Sequence, residues 1–283
     1  MRSAAPPDPF ASIYDRYYPT CYKQTAGLAR RSAVINPALK TLVLIVVGQS
    51  QGVNITPSTY VPVNTAKIDQ FNIFDGELYQ VNGAMLGCTF NEQPSSYGVG
   101  NVVAQLVDNL TTYWDRVIVA PIGVGGSSIA QWGLPGGDVA DSSGTLYKRG
   151  PITLRRLAAK GITPATAGVT FASLMLIGES DNVAGTSQAN FQLRAQGYMD
   201  AMTAAGFSGR FFFTQESWYQ SATSATVRAG QAALVNGTTV FSAGDLDTLN
   251  NTNRFDTTHF NDTGRAAAAS IIANAMHASG APF

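Results

Sequence analysis

Charge is scarce in this chain. Of its 283 residues only 13% are Asp, Glu, Lys or Arg, about half the usual share. The 18 basic and 18 acidic side chains cancel. That balance lacks the basic bias expected of a protein drawn to nucleic acid or an anionic membrane. Polar surface must come from Ser, Thr, Asn, Gln and Gly, a composition that suits an extracellular or particle-associated protein better than the cytoplasm. Cysteine is down to two residues, Cys21 and Cys88; they either pair or remain thiols, and neither belongs to a pair at zinc spacing. Histidine is also down to two, His259 and His277, too few for a catalytic transition-metal site. No apolar run approaches the ~20 residues that cross a bilayer. The opening "MRSAAPPDPFASIYDRYYP" has no apolar stretch of the kind a signal peptide needs. A Walker motif is missing, as is a G-x-G-x-x-G between strand and helix, so nucleotide binding and cofactors are not expected.

What is present is an alternation of strands and helices. Residues 1–38, rich in proline and aromatics with a basic "LARRSAV", read as an N-terminal extension lying over a core. One domain is expected over 39–283, since no repeat or low-complexity linker divides it. "TLVLIVV" from Thr41 is a β-branched apolar run ended by glycine, the mark of a strand buried on both faces. "RVIVAPIGV" (116–124), "GVTFASLMLIG" (168–178), "GRFFFTQES" (209–217) and "TTVFSAGD" (238–245) have the same character. Helical spacing runs through 98–114, through 187–206 behind a Ser187 cap, and through 261–280 behind an Asp262 or Thr263 cap. The pattern predicts a three-layer α/β/α sandwich around a mostly parallel, five-stranded sheet. Loops at the carboxyl ends of such strands carry the reactive groups. Here those loops are 48–52, 123–128, 178–181 and 215–217.

The first of them reads "GQSQG", a match to the G-x-S-x-G nucleophile elbow. A serine hydroxyl attacks only when a base takes its proton, and that base is usually a histidine held by a carboxylate. His277 sits in the last turn of a helix, where the dipole favours it as a surface residue. His259 stands in "RFDTTHFNDTG", three residues after Asp256, so one carboxylate can reach the imidazole within the same loop. Asp256 read alone is equally a turn residue. The glycine-rich "GVGGSSIAQW" (123–132) offers backbone N–H groups to a developing oxyanion, or else makes a tight turn with a packing Trp132. An α/β-hydrolase is disfavoured, because its elbow serine follows several strands, whereas Ser50 follows the first.

Taken in order, "GQSQG", "GVGGSSIAQW", "LIGESDN" and "DTTHF" resemble the blocks of the SGNH/GDSL hydrolase superfamily. The likeness is greatest to the sialate O-acetylesterase and carbohydrate esterase family 6 (acetylxylan esterase) branch, and spans about Leu42 to Ala275. It implies a flavodoxin-like SGNH fold and a serine esterase that removes an acyl group, acetyl foremost, from carbohydrate. Ser50 would be nucleophile, His259 general base and acid, and Asp256 its orienting carboxylate. The N–H groups of Ser50 and of Gly126 or Gly125 would line the oxyanion hole, with Gln49, Gln51, Glu179 and Ser180 at the same site. The chain departs from the pattern where Ile177 replaces a glutamine donor and Gln51 replaces an asparagine. The missing donor is then supplied by Gln51, Ser180 or Gln215, or is lost. Trp132, Trp218 and Tyr219 would suit a sugar surface. Two other outcomes are compatible with the same residues: a lipid, aryl-ester or thioester hydrolase, and a carbohydrate-binding or particle-decorating module without turnover. The expected partner is an acylated carbohydrate, with no nucleic acid and no membrane span; oligomeric state is left open.

Overall fold

The computed structural model describes residues 25, 27–89, 100–133 and 146–280. Seven strands form one sheet: β1 (Thr41–Gly48), β2 (Ile68–Asn72), β3 (Glu77–Gln80), β4 (Arg116–Pro121), β5 (Val169–Leu176), β6 (Arg210–Gln215) and β7 (Val240–Asp245). Their order is β3-β2-β4-β1-β5-β6-β7, parallel except for the β2–β3 pair. The five expected strands are therefore the parallel core, β4-β1-β5-β6-β7, and the expected count of five is corrected to seven by the β2–β3 hairpin added beside β4. Polar residues hid that hairpin. Asp69, Gln70 and Asn72 are all buried in β2. Tertiary partners satisfy two of them: Asp69 accepts from Arg31 and Arg116, and Gln70 binds Gln80 O and Leu86 N.

The helices among the described residues are α1 (Val102–Leu110), α2 (Ile129–Trp132), α3 (Arg149–Ala159), α4 (Glu179–Ala184), α5 (Gln188–Ala204), α6 (Ala225–Leu234) and α7 (Asp262–Ala278). Strand alternation sorts the core into two halves. Leu42, Leu44 and Val46 pack with α1 and α7. Val43, Ile45 and Val47 pack with α2, α3, α5 and α6. Both faces of β1 are thus covered, and Leu42 to Val47 are each 0% exposed. Burial of each such side chain contributes about 1.5–3 kcal/mol, which is why this run is apolar at every position. The last helix is capped by Asn261, whose side chain accepts from Gly264 N, and not by Asp262 or Thr263. Of the N-terminal extension, Ala29 and Arg31 exchange backbone hydrogen bonds with Gln80 and Leu78 along β3. Cys88 is buried beside Asn54 and Asn101, while Cys21 lies outside the described residues. No helix among the described residues is long and apolar enough to cross a membrane.

Two strands flank β1: β4 on one side and β5 on the other. The connection leaving β1 runs through α1 on one face of the sheet, while those leaving β4 and β5 run through α3 and α5 on the other, so a crevice opens at the carboxyl end of β1, where α/β sheets place their ligands.

Candidate active site

Ser50 opens a short 3-10 turn, Ser50–Gly52, directly after β1. Gly126 lies in the turn after β4, and Glu179 and Ser180 begin α4 after β5. Asp256 and His259 lie between β7 and α7. The fold brings Ser50, Gly126, Glu179, Ser180 and His259 around one cavity of about 240 Å³, walled also by Tyr219. A larger hollow of about 510 Å³ sits at the opposite edge of the sheet, by Leu39, Trp114 and Val169. Neither a histidine nor a carboxylate lines it, so size does not make it the reactive site.

His259 Nδ1 lies 2.6 Å from Asp256 Oδ2. A carboxylate there fixes the proton on Nδ1 and leaves Nε2 unprotonated. The second oxygen of Asp256 accepts from His259 N at 2.7 Å and Thr258 N at 3.1 Å. This closed ring of contacts needs a sharp turn, and Thr257 supplies it at φ +66°. Positive φ is rare for a β-branched residue and stores strain. A neighbouring loop holds the strained turn in place: Trp218 Nε1 and Ser221 N both donate to Thr257 O. Gln220 N donates to Thr258 Oγ1. Burial would raise the Asp256 carboxyl, but the hydrogen bonds from His259 and Thr258 outweigh it and hold the group below its usual range.

Two backbone donors at the cavity have no acceptor among the described residues: Ser50 N–H and Gly126 N–H. Gly126 adopts φ +72°, and a side chain there would meet nothing within 4 Å. The N–H of Gly125 is already committed to Thr89 Oγ1 at 2.7 Å. The N–H of Ile129, three residues beyond Gly126, donates to Asp181 Oδ2 at 2.9 Å, which ties this turn to α4. Burial pushes the Asp181 carboxyl up to about 6.

Gln49 and Gln51 are each 0% exposed and face inward. Gln51 Nε2 donates to Glu179 Oε1 at 2.7 Å and Thr258 O at 3.1 Å, so it has no donor left for the cavity. Gln215 turns away, toward Arg228 O. Of the three side chains considered for the missing donor, Ser180 alone lines the cavity, and its hydroxyl has no partner among the described residues. Trp132 is fully buried, donates to Ser127 Oγ and packs edge-on against Tyr198. It is not a sugar platform. Trp218 is half-buried and braces the His259 loop, which leaves Tyr219 as the aromatic on the cavity.

The sequence reading missed a buried ionic cluster beneath the site. Glu179, Glu216 and Asp247 are 2%, 0% and 9% exposed around the 5%-exposed Arg254. Arg254 donates to Leu249 O, Leu246 O and Thr258 O, and its guanidinium lies 4.4 Å from the Phe260 ring centre. It therefore holds the His259 loop from below. Burial, then the charges of Glu179 and Asp247, push the Glu216 carboxyl well above its usual range. Gly178 lets these loops meet. It sits at φ +152°, and a β-carbon there would lie 1.7 Å from Glu216 O.

The fold is a three-layer α/β/α sandwich around a mostly parallel sheet, and the strand-end loops meet at one cavity. No protein-family profile matches the sequence, and no curated protein sequence does so significantly. The likenesses are structural. A protein from Arabidopsis thaliana superposes with a TM-score of 0.56 at 14% identity, over 84% of this chain and 98% of its own. A carbohydrate acetylesterase from Xanthomonas citri gives 0.54 at 14% identity, over 83% of this chain and 55% of that one. A carbohydrate esterase family 2 enzyme with a carbohydrate-binding domain, from Corynascus thermopiles, gives 0.52 at 12% identity, over 87% and 68%. The chain spans little more than half of the Xanthomonas protein. At such identities the likeness is one of fold.

Proposed function

We propose that the chain is a serine esterase acting on short acyl esters of carbohydrate, acetyl foremost. The observation that carries this is the meeting on one cavity of Ser50, the Asp256-bound His259 and a Gly126 N–H that has no acceptor among the described residues. In the reaction Ser50 Oγ bonds to the acyl carbon and its proton passes to His259 Nε2. The carbonyl oxygen becomes an oxyanion held by Ser50 N–H, Gly126 N–H and the Ser180 hydroxyl. His259 returns the proton to the departing sugar oxygen, leaving an acyl-serine. Water, deprotonated by His259, then releases the acid and restores the serine.

Supplying the third donor from Ser180 answers the loss at Ile177, which is 1% exposed and apolar. One such donor is worth roughly 3 kcal/mol of transition-state stabilisation. The cavity volume of about 240 Å³ favours a short acyl group over a long chain, since pockets for drug-sized ligands run ~300–1,000 Å³. Tyr219 at the rim suits the sugar.

The test is acetate release from a panel of acetylated glycans, with fluorophosphonate labelling of Ser50 run beside it. Wild type should release acetate and label, and Ser50→Ala should do neither. A wild type that leaves the glycans untouched but hydrolyses long-chain aryl esters or thioesters refutes the carbohydrate reading. A wild type that does not label refutes catalysis and leaves a binding module.

A further inference from the structure

Three consecutive side chains of the elbow reach one carboxylate. Gln49 Nε2 and Ser50 Oγ both donate to Glu179 Oε2, the serine at 2.5 Å, and Gln51 Nε2 donates to Oε1 at 2.7 Å. The other end of Gln49 accepts from Ser180 N at 2.9 Å. Four hydrogen bonds thus lock the loop after β1 to the start of α4. Glu179 is 2% exposed, so water does not compete for its oxygens. Ser50 makes no hydrogen bond to His259 in this arrangement; its proton is directed at Glu179.

We infer that Glu179 is the positioning residue of the nucleophile, holding the Ser50 hydroxyl in a resting orientation from which it turns to His259 for attack. The inference rests on the esterase reading above. Glu179 does not replace His259 as the base. Its oxygens already accept from three donors, and the imidazole held by Asp256 lines the same cavity. What the carboxylate supplies is direction. It fixes the amides on either side of Ser50, and so fixes the peptide whose N–H faces the cavity. A misplacement of about 1 Å at a reacting group costs on the order of 100-fold in rate.

The charge-neutral isostere tests this. In Glu179→Gln one carbonyl oxygen and one NH2 replace two acceptors, while three donors still converge. At least one of them loses its acceptor. Labelling of Ser50 by a fluorophosphonate, kcat and KM on an acetyl ester, and the urea midpoint are measured together. Glu179→Gln should label at least tenfold more slowly per folded molecule and lose at least tenfold in kcat, with KM within twofold of wild type. A merely structural carboxylate would lower the urea midpoint and leave the per-molecule rate alone. Labelling at or above the wild-type rate, or a loss confined to KM, overturns the inference. If Glu179→Gln does not fold, Glu179→Asp, which withdraws the carboxylate by one methylene, is held to the same criteria. Failure of the underlying reading is separate, because then wild type itself does not label.

Discussion

Replacing Asp256 by asparagine separates what this residue does for the fold from what it does for the chemistry. One oxygen accepts two backbone N–H groups, from Thr258 and His259; the other faces His259 Nδ1 at 2.6 Å. Asparagine can keep the first pair of bonds with its carbonyl oxygen, and its NH2 then confronts Nδ1. The ring must answer with the tautomer that carries its proton on Nε2, which cannot receive the proton of Ser50. Flipping the amide would restore the correct tautomer but would point an NH2 at two N–H donors. Two hydrogen bonds at about 1 kcal/mol each oppose that flip. The charge is lost as well. An ion pair about 4 Å between centres is worth about 1 kcal/mol in water and about 4 at an effective dielectric of 20. The Asp256 side chain is 36% exposed and His259 15%, so solvent screening keeps the value within that range rather than above it. Tautomer and charge together come to about 3–6 kcal/mol, or roughly 10²- to 10⁴-fold in kcat at 1.36 kcal/mol per decade. The assay is kcat for acetyl-ester hydrolysis at neutral pH beside a thermal melt. Asp256→Asn should melt near wild type and lose about 10³-fold in kcat. Asp256→Ala should lose that and also melt lower, because both backbone acceptors go. An Asp256→Asn enzyme within tenfold of wild-type kcat at unchanged stability would refute the role given to Asp256.

The parallel core was legible because each of its strands is buried on both faces and so reads as an apolar run. β2 was not, since its buried Asp69 and Gln70 depend on Arg31, Arg116 and Leu86, partners distant in sequence. Ser50, Gly126, Asp256 and His259 were legible as loop residues of the types the proposed acyl transfer needs, and the fold places them near one another. Glu179 was named for the site, but nothing in the sequence tells whether it faces substrate or lies under the serine; that depends on how Gly178 turns the chain. Gln49 and Gln51, equally short in sequence distance from Ser50, were read as pocket residues and are struts. Arg254 and Glu216 went unremarked, yet a signal existed. The chain contains four glutamates, and two of them, Glu179 and Glu216, directly follow apolar strands in "GES" and "QES". In so weakly charged a sequence, acids at two adjacent strand ends mark the floor of the crevice.

Two stability measurements probe that floor and the turn above it. Thr257 is exposed, makes no side-chain hydrogen bond among the described residues and sits at φ +66°, a conformation that costs an ordinary residue about 1–2 kcal/mol and asparagine less. Thr257→Asn should raise the urea unfolding free energy by about 1 kcal/mol with kcat within twofold, and a lowered midpoint would sink the assignment of strain. Glu216 is fully buried, its Oε1 has no partner among the described residues, and burial with Glu179 and Asp247 drives its carboxyl well above the ordinary value of 4.5. An acid raised in the folded state binds its proton more tightly there than in the unfolded chain. Stability from this group is therefore full below pH 4.5 and falls as pH rises through the interval up to the folded value. Glutamine mimics the neutral form and does not titrate. Glu216→Gln should match wild type in melting temperature near pH 4.5 and exceed it at pH 7–8, the gap widening with pH. A gap that narrows or reverses with rising pH would mean that Glu216 is ionised in the native protein, and that Arg254 balances the Glu179 and Glu216 charges together.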